Sequence, residues 1–225
     1  MTQPTRCPQC GSRSSGDGPP GLCPACLLGL AVDAGADADP EDDEPDLAGP
    51  PCRVVTVLST EDDRTTYLAE DVETRRLVTL DVVRLPHDGR DEALRQCRAR
   101  LRSLMRWSHP GVPRVIGGEV SPSGDFCVVS HYVKGQRLDR YCDDKQVDAA
   151  SRARLFAVVG ETVASGHRSG VCHGRLRQDL IMVSGSSRDP KPVVLGYSVT
   201  PGRTPSAEDD AAGLDAVARA LRIAT

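Results

Sequence analysis

An α+β domain behind a small metal-stapled module is the architecture that this sequence of 225 residues predicts, and three observations carry it. Four of its nine cysteines stand as two C-P-x-C pairs close to the N-terminus. From Cys52 onward, β-branched clusters recur as RVVTVL, RLVTLDVVRL, FCVVSHYV and KPVVLGYSV, the composition of strands. Interleaved with them are the helical patterns DEALRQCRARLRSLM, AASRARLFAVVGETVASGH and AEDDAAGLDAVARALRIA, so strands dominate early and helices late.

Residues 1–32 are rich in Cys, Gly and Pro, a composition that builds no core without a staple. The staple is legible in Cys7-Pro8-Gln9-Cys10 and Cys23-Pro24-Ala25-Cys26, whose four thiolates can close a tetrahedral site around a structural zinc ion. Gly11 relieves the crowding after the first pair. A redox dithiol is the other reading of C-x-x-C, but it needs a βαβ context that is absent. The other five cysteines are scattered singly and are expected as reduced thiols. Residues 33–50, DAGADADPEDDEPDLAGP, join an acidic run to Pro and Gly and read as a disordered linker. Residues 51–135 then carry the sheet and one helix, and residues 136–225 are mainly helical.

Composition narrows the function. Aromatic residues are only 3% of the chain, so the core must be built from Val, Leu and Ala. A formal net charge of −4 offers no field for a phosphate backbone or an anionic lipid surface, which argues against nucleic acid and membrane as partners. The apolar run from Leu27 to Val32 is too short to span a bilayer, and no apolar leader opens the chain, so a cytoplasmic protein is expected. No internal repeat accompanies the duplicated C-P-x-C pair.

From Cys52 to about Ala224 the sequence resembles bacterial serine/threonine protein kinases, particularly those in which a C-P-x-C ribbon and a linker precede the catalytic domain. The landmarks that carry the resemblance come in order. Val57-Leu58 and Tyr67-Leu68-Ala69-Glu70-Asp71 flank the phosphate-loop position, and Val78-Thr79-Leu80-Asp81 stands where the family has V-A-I-K. His109-Pro110 follows a helix, and Tyr132-Val133-Lys134-Gly135 follows the hinge strand. The segment LDRYCDDKQVDAASRARLFAVVGETVASGHRSGVCHGRLRQDLIMV then resembles the hinge, long helix and catalytic loop in one register. The implied fold is a two-lobed protein-kinase-like fold with a truncated C-lobe, preceded by the zinc ribbon.

The same alignment implies that the chemistry is lost. Phosphoryl transfer needs positioned charges around nucleotide, magnesium and the attacking hydroxyl. The phosphate loop reads Ser59-Thr60-Glu61-Asp62-Asp63-Arg64, with no glycine and three acids. Asp81 stands at the lysine position, and Arg100 falls on its glutamate partner, which suggests a salt bridge of swapped polarity between them. The catalytic loop reads His173-Gly174-Arg175-Leu176-Arg177-Gln178-Asp179-Leu180, so Arg175 replaces the base and Leu180 the magnesium-binding asparagine. Gly196-Tyr197-Ser198 replaces D-F-G and removes the second metal ligand. Asp179 and Asp189 are read as solvated loop acids rather than as a rearranged metal site.

Packing positions are kept. Leu104, His173 and Tyr197 match an internal hydrophobic column of the family, so His173 is expected to be structural. Thr79 and Met182 would partly fill the adenine site. Eleven residues, Val199 to Asp209, separate the Gly-Tyr-Ser triplet from Asp210, which matches the aspartate opening the central C-lobe helix. The activation segment is thus nearly deleted, and the helix face left uncovered calls for a protein partner, an active kinase or a second copy. The resemblance therefore implies a catalytically inactive regulatory or scaffold protein in kinase signalling, binding zinc but neither ATP nor Mg2+. The alternatives are an atypical active kinase that binds ATP and a zinc-ribbon adaptor.

Overall fold

The structure, a computed structural model, describes residues 49–223 apart from Ser187, Ser198 and Arg203, together with the backbone of Thr5–Arg6 and Arg13–Ser14. Those two short strands, β1 (Thr5–Arg6) and β2 (Arg13–Ser14), pair antiparallel on either side of the first cysteine pair in sequence. The proposed ligands Cys7, Cys10, Cys23 and Cys26 and the acidic stretch 33–48 lie outside the described residues.

The chain divides into two compact units. The first comprises residues up to Arg95 and Ile116–His131, and the second comprises Gln96–Val115 and Tyr132–Thr225. The first unit is built on β3 (Cys52–Thr60), β4 (Arg64–Asp71), β5 (Leu77–Val83), β6 (Val115–Val120) and β7 (Phe126–His131). They form one five-stranded sheet in the order β3-β4-β5-β7-β6. The β-branched residues of β4 and β5 suit a pleated surface with one buried face. Along β4, burial alternates residue by residue, placing Thr65, Tyr67, Ala69 and Asp71 inward. The core joins Tyr67, Ala69, Val78, Leu80 and Val82 to Cys52, Cys127 and Val129. Helix α1 (Arg90–Arg106) follows β5 in the chain, and its Ala93, Cys97, Leu101 and Leu104 form one buried stripe at helical spacing. Asp91 and Glu92 at its start and Arg106 at its end suit the helix dipole.

The second unit contains α2 (Leu138–Asp144), α3 (Ala149–Arg168), α4 (Ala207–Ala220) and a three-stranded sheet of β8 (Gln136–Arg137), β9 (Ile181–Ser186) and β10 (Asp189–Val194). Each long helix begins where a side chain meets its first free amides. Asp148 accepts from Ser151 N at 2.9 Å, and Ser206 with Asp209 closes a capping box on α4. The core gathers Leu138, Val159, Val163, Leu176, Ile181, Val194, Val217 and Leu221, with no ring among its fully buried members. The expected strand KPVVLGYSV stops at Val194, because Gly196 takes φ +84° and turns the chain out of the ladder. The last helix stops at Ala220, two residues before Arg222 adopts φ 56°.

The five scattered cysteines in this part of the chain are free thiols, four of them buried. Burial, aided by neighbouring Asp71, pushes the Cys52 thiol from 9.0 up to about 12. Burial, with Asp125 and Glu119 adding to it, takes Cys127 up to about 12, and burial takes Cys97 to about 11. Their folded values lie above the unfolded one, so the unfolded chain loses these protons first. Their contribution to stability is complete below pH 9 and is lost as pH rises towards 11–12, at about 1.4 kcal/mol per pH unit per thiol. Denaturant midpoints should therefore fall steeply above pH 9, and Cys97→Ala should remove one thiol's share of that slope. An unchanged slope in the variant would refute this assignment.

Candidate functional site

In the first unit the stretch at the phosphate-loop position is a tight hairpin. Glu61 N donates to Arg64 O at 2.8 Å and closes the turn between β3 and β4. Arg84 ties the tip down: its backbone N–H donates to Asp63 O at 2.8 Å and its Nη1 to Asp62 O at 3.1 Å. Ser59 and Thr60 end β3 in exposed positions.

Asp81 sits on β5 directly opposite Thr66 of β4, and Arg64 lies two residues along the same strand. Thr66 Oγ1 donates to Asp81 Oδ1 at 2.6 Å, and Arg64 Nε donates to the same oxygen at 3.1 Å. Both ionic side chains are largely buried, at 11% and 16% exposure. Strand register sets a cation beside Asp81 on its own sheet, and Arg100 Nη1 donates to the carbonyl oxygen of Thr200 within the second unit.

In the second unit the catalytic-loop stretch is organised by one carboxylate. Asp210, in the first turn of α4, is fully buried and accepts from His173 N at 2.8 Å, Gly174 N at 2.6 Å and His167 Nε2 at 2.7 Å. His173 is fully buried as well. Its Nδ1 accepts from Arg175 N at 3.2 Å and its Nε2 donates to Leu195 O at 2.7 Å, which places the proton on Nε2. Its ring packs on Tyr197 at a centroid distance of 4.6 Å, and Tyr197 meets Trp107 edge-on at 4.9 Å. His173 thus packs against a ring and hydrogen-bonds through both ring nitrogens. Trp107, a ring the sequence reading passed over, supplies the aromatic partner, and its Nε1 donates to Ser165 Oγ at 3.2 Å.

The remaining family positions have these surroundings. Arg175, which the resemblance aligns with the base, is half-buried. Leu180 closes a single 3-10 turn, Gln178–Leu180, and its carbonyl accepts from Leu195 N at 2.7 Å. Gly196 follows in a left-handed conformation. Asp179 pairs with Arg177 at 2.9 Å, and that hydrogen bond and charge outweigh burial and hold its carboxyl low. Asp189 pairs with Lys191 at 3.2 Å. Beyond Tyr197 the chain is held to α1, where Gly202 N donates to Gln96 Oε1 at 2.9 Å. A cleft of about 210 Å³ opens between α1 residues Ala99, Arg100, Ser103 and Leu104 and the segments at Gly170–Cys172 and Thr204–Pro205.

No family model matches the chain. Over 136 residues it is 26% identical to the serine/threonine-protein kinase pkn2 of Myxococcus xanthus, covering 59% of this chain and 16% of the relative's length. Among solved structures it is similar to the PknI kinase domain of Mycobacterium tuberculosis. A double mutant of that domain superposes with a TM-score of 0.57 at 16% identity, covering 80% of this chain and 77% of the other. Another structure of the domain gives 0.53 at 18% identity, covering 80% and 74%. The fold is that of a protein kinase domain. No helix among the described residues is long and apolar enough to cross a membrane.

Proposed function

We propose that this chain is a pseudokinase: a protein-kinase-like module that transfers no phosphate and acts as a regulatory or scaffold protein in serine/threonine kinase signalling. The observation that carries the reading is the Arg64–Asp81–Thr66 cluster. A kinase needs a free ammonium at the position of Asp81 to hold the nucleotide phosphates. Here an anion stands there, and the neighbouring strand neutralises it. Arg175 and Leu180 point the same way, since a guanidinium cannot take a proton from a substrate hydroxyl and an aliphatic chain cannot ligate magnesium. The zinc ribbon at Cys7, Cys10, Cys23 and Cys26, a cytoplasmic setting and a protein partner belong to this reading.

The test is a thermal-shift titration of the zinc-loaded chain with ATP, with and without magnesium. A ligand that binds only the native state adds about 2.7 kcal/mol at 100 times its dissociation constant, a shift easily seen. None is expected. Asp81→Lys should not create one, because the new ammonium would face Arg64, and the variant should lose about 2 kcal/mol of stability. A magnesium-dependent shift in the unaltered chain would defeat the proposal.

A further inference from the structure

We propose that the acidic stretch of this chain, residues 33–46, docks on an arginine face of α1, so that the protein covers its own helix. Arg95, Arg98, Arg102 and Arg106 follow one another along α1 at intervals of three, four and four residues. At about 100° per residue they fall in one stripe roughly 80° wide, on the side of the helix turned away from the buried Ala93, Cys97, Leu101 and Leu104. Arg95, Arg98 and Arg106 are exposed and Arg102 is half-buried. Arg95 pairs with Glu92 at 2.6 Å, and beyond Glu92 the helix contains no further acid. Arg98 and Arg106 make no hydrogen bond or ion pair among the described residues. Like charges four residues apart on a helix repel one another, so Arg98, Arg102 and Arg106 weaken α1 unless an anion lies over them.

Charge and chain entry identify the occupant. Residues 33–46 hold eight acids and no lysine or arginine, with Glu41-Asp42-Asp43-Glu44 unbroken. The chain enters the first unit at Gly49, where an added Cβ would lie 3.5 Å from the backbone of Gly117 and Gly118 in β6. Three residues beyond Gly118 begins the turn from Ser121 to Gly124, and the Gly124 carbonyl oxygen accepts from Arg90 Nη2 in the first turn of α1. The acidic stretch is thus anchored close to where α1 starts.

Length and affinity agree with that placement. Glu44 and Glu41 precede Gly49 by five and eight residues, a reach of roughly 16–29 Å at full extension. The stripe from Arg95 to Arg106 runs about 16 Å along the helix. A segment tethered at this range meets the helix at an effective concentration on the order of millimolar. Each guanidinium can take a carboxylate through two parallel hydrogen bonds. The same tethered acids repel a nucleic acid or another phosphate-bearing ligand from this face.

The test is carbodiimide cross-linking of the full chain carrying Arg98→Lys and Arg106→Lys, two exposed changes that keep the charge and supply amines able to form amides with nearby carboxylates. In the band of single-chain mass, mass spectrometry should find the introduced amines joined to residues 33–46. That yield should exceed the yield from native Lys134, Lys145 and Lys191 to the same residues, and it should fall about tenfold between 0.1 M and 1 M salt, as the Debye length shrinks from about 10 Å to about 3 Å. Cross-links from the introduced amines to Glu92 and other acids but none to residues 33–46, or equal yields from all the lysines, would overturn the proposal. Cross-links to 33–46 found only in a band of twice the mass would overturn it as well, since a second copy would then supply the acids.

Discussion

Replacing Asp210 by alanine is expected to lower stability by about 4 kcal/mol, a fall of roughly 10 °C in melting temperature for a chain of this size. The magnitude follows from what the substitution leaves behind. The side chain is 0% exposed and accepts from His173 N, Gly174 N and His167 Nε2. Without it, two backbone N–H groups are stranded at the base of the catalytic-loop stretch, each costing about 1–3 kcal/mol, and an imidazole loses its acceptor. Asp210→Asn keeps acceptor capacity on one oxygen and should cost less. Urea denaturation of all three proteins measures both losses. An alanine variant within 1 kcal/mol of the parent would mean that another group organises this loop.

Gly174→Ala should cost about 3 kcal/mol. Gly174 has φ +75°, where an alanine is strained by about 1–2 kcal/mol. An added Cβ would also lie 2.6 Å from Pro205 Cβ, inside van der Waals contact with a stiff ring. Pro205→Gly removes the Cβ and Cγ contacts at 2.6 and 3.0 Å and leaves only the backbone Cα at 3.3 Å from the new Cβ. The double variant should therefore recover part of the loss and retain the backbone strain. Urea denaturation of the two single variants and the double reads both contributions, and full recovery would show the strain argument to be wrong.

These two positions also mark how far sequence reasoning reaches. Gly174 and Asp210 were legible as family positions, but what they hold was not. The β-branched cluster RLVTLDVVRL and the helical patterns DEALRQCRARLRSLM and AASRARLFAVVGETVASGH are local signals, and they predicted β5, α1 and α3 close to where they occur. Short elements such as β6, β8 and α2 carry too few periods to be read. Which cation meets Asp81 on its own sheet was not legible, because charge pairing depends on which side chains the strand register sets opposite one another.

Local pattern and motif alone carried the α+β order, the kinase resemblance and, under that resemblance, the residue types at the family positions: an aspartate at the lysine's, an arginine at the base's, a leucine at the asparagine's. Those are properties of a residue type at a position. Tertiary structure decided their consequences. It set Arg64 beside Asp81 across a ladder, tied Arg100 to Thr200 a hundred residues away, and brought His167 to Asp210 across 43 residues around a buried carboxylate. No spacing encodes such meetings, because a buried charge takes whichever partner the packed chain brings within hydrogen-bonding distance.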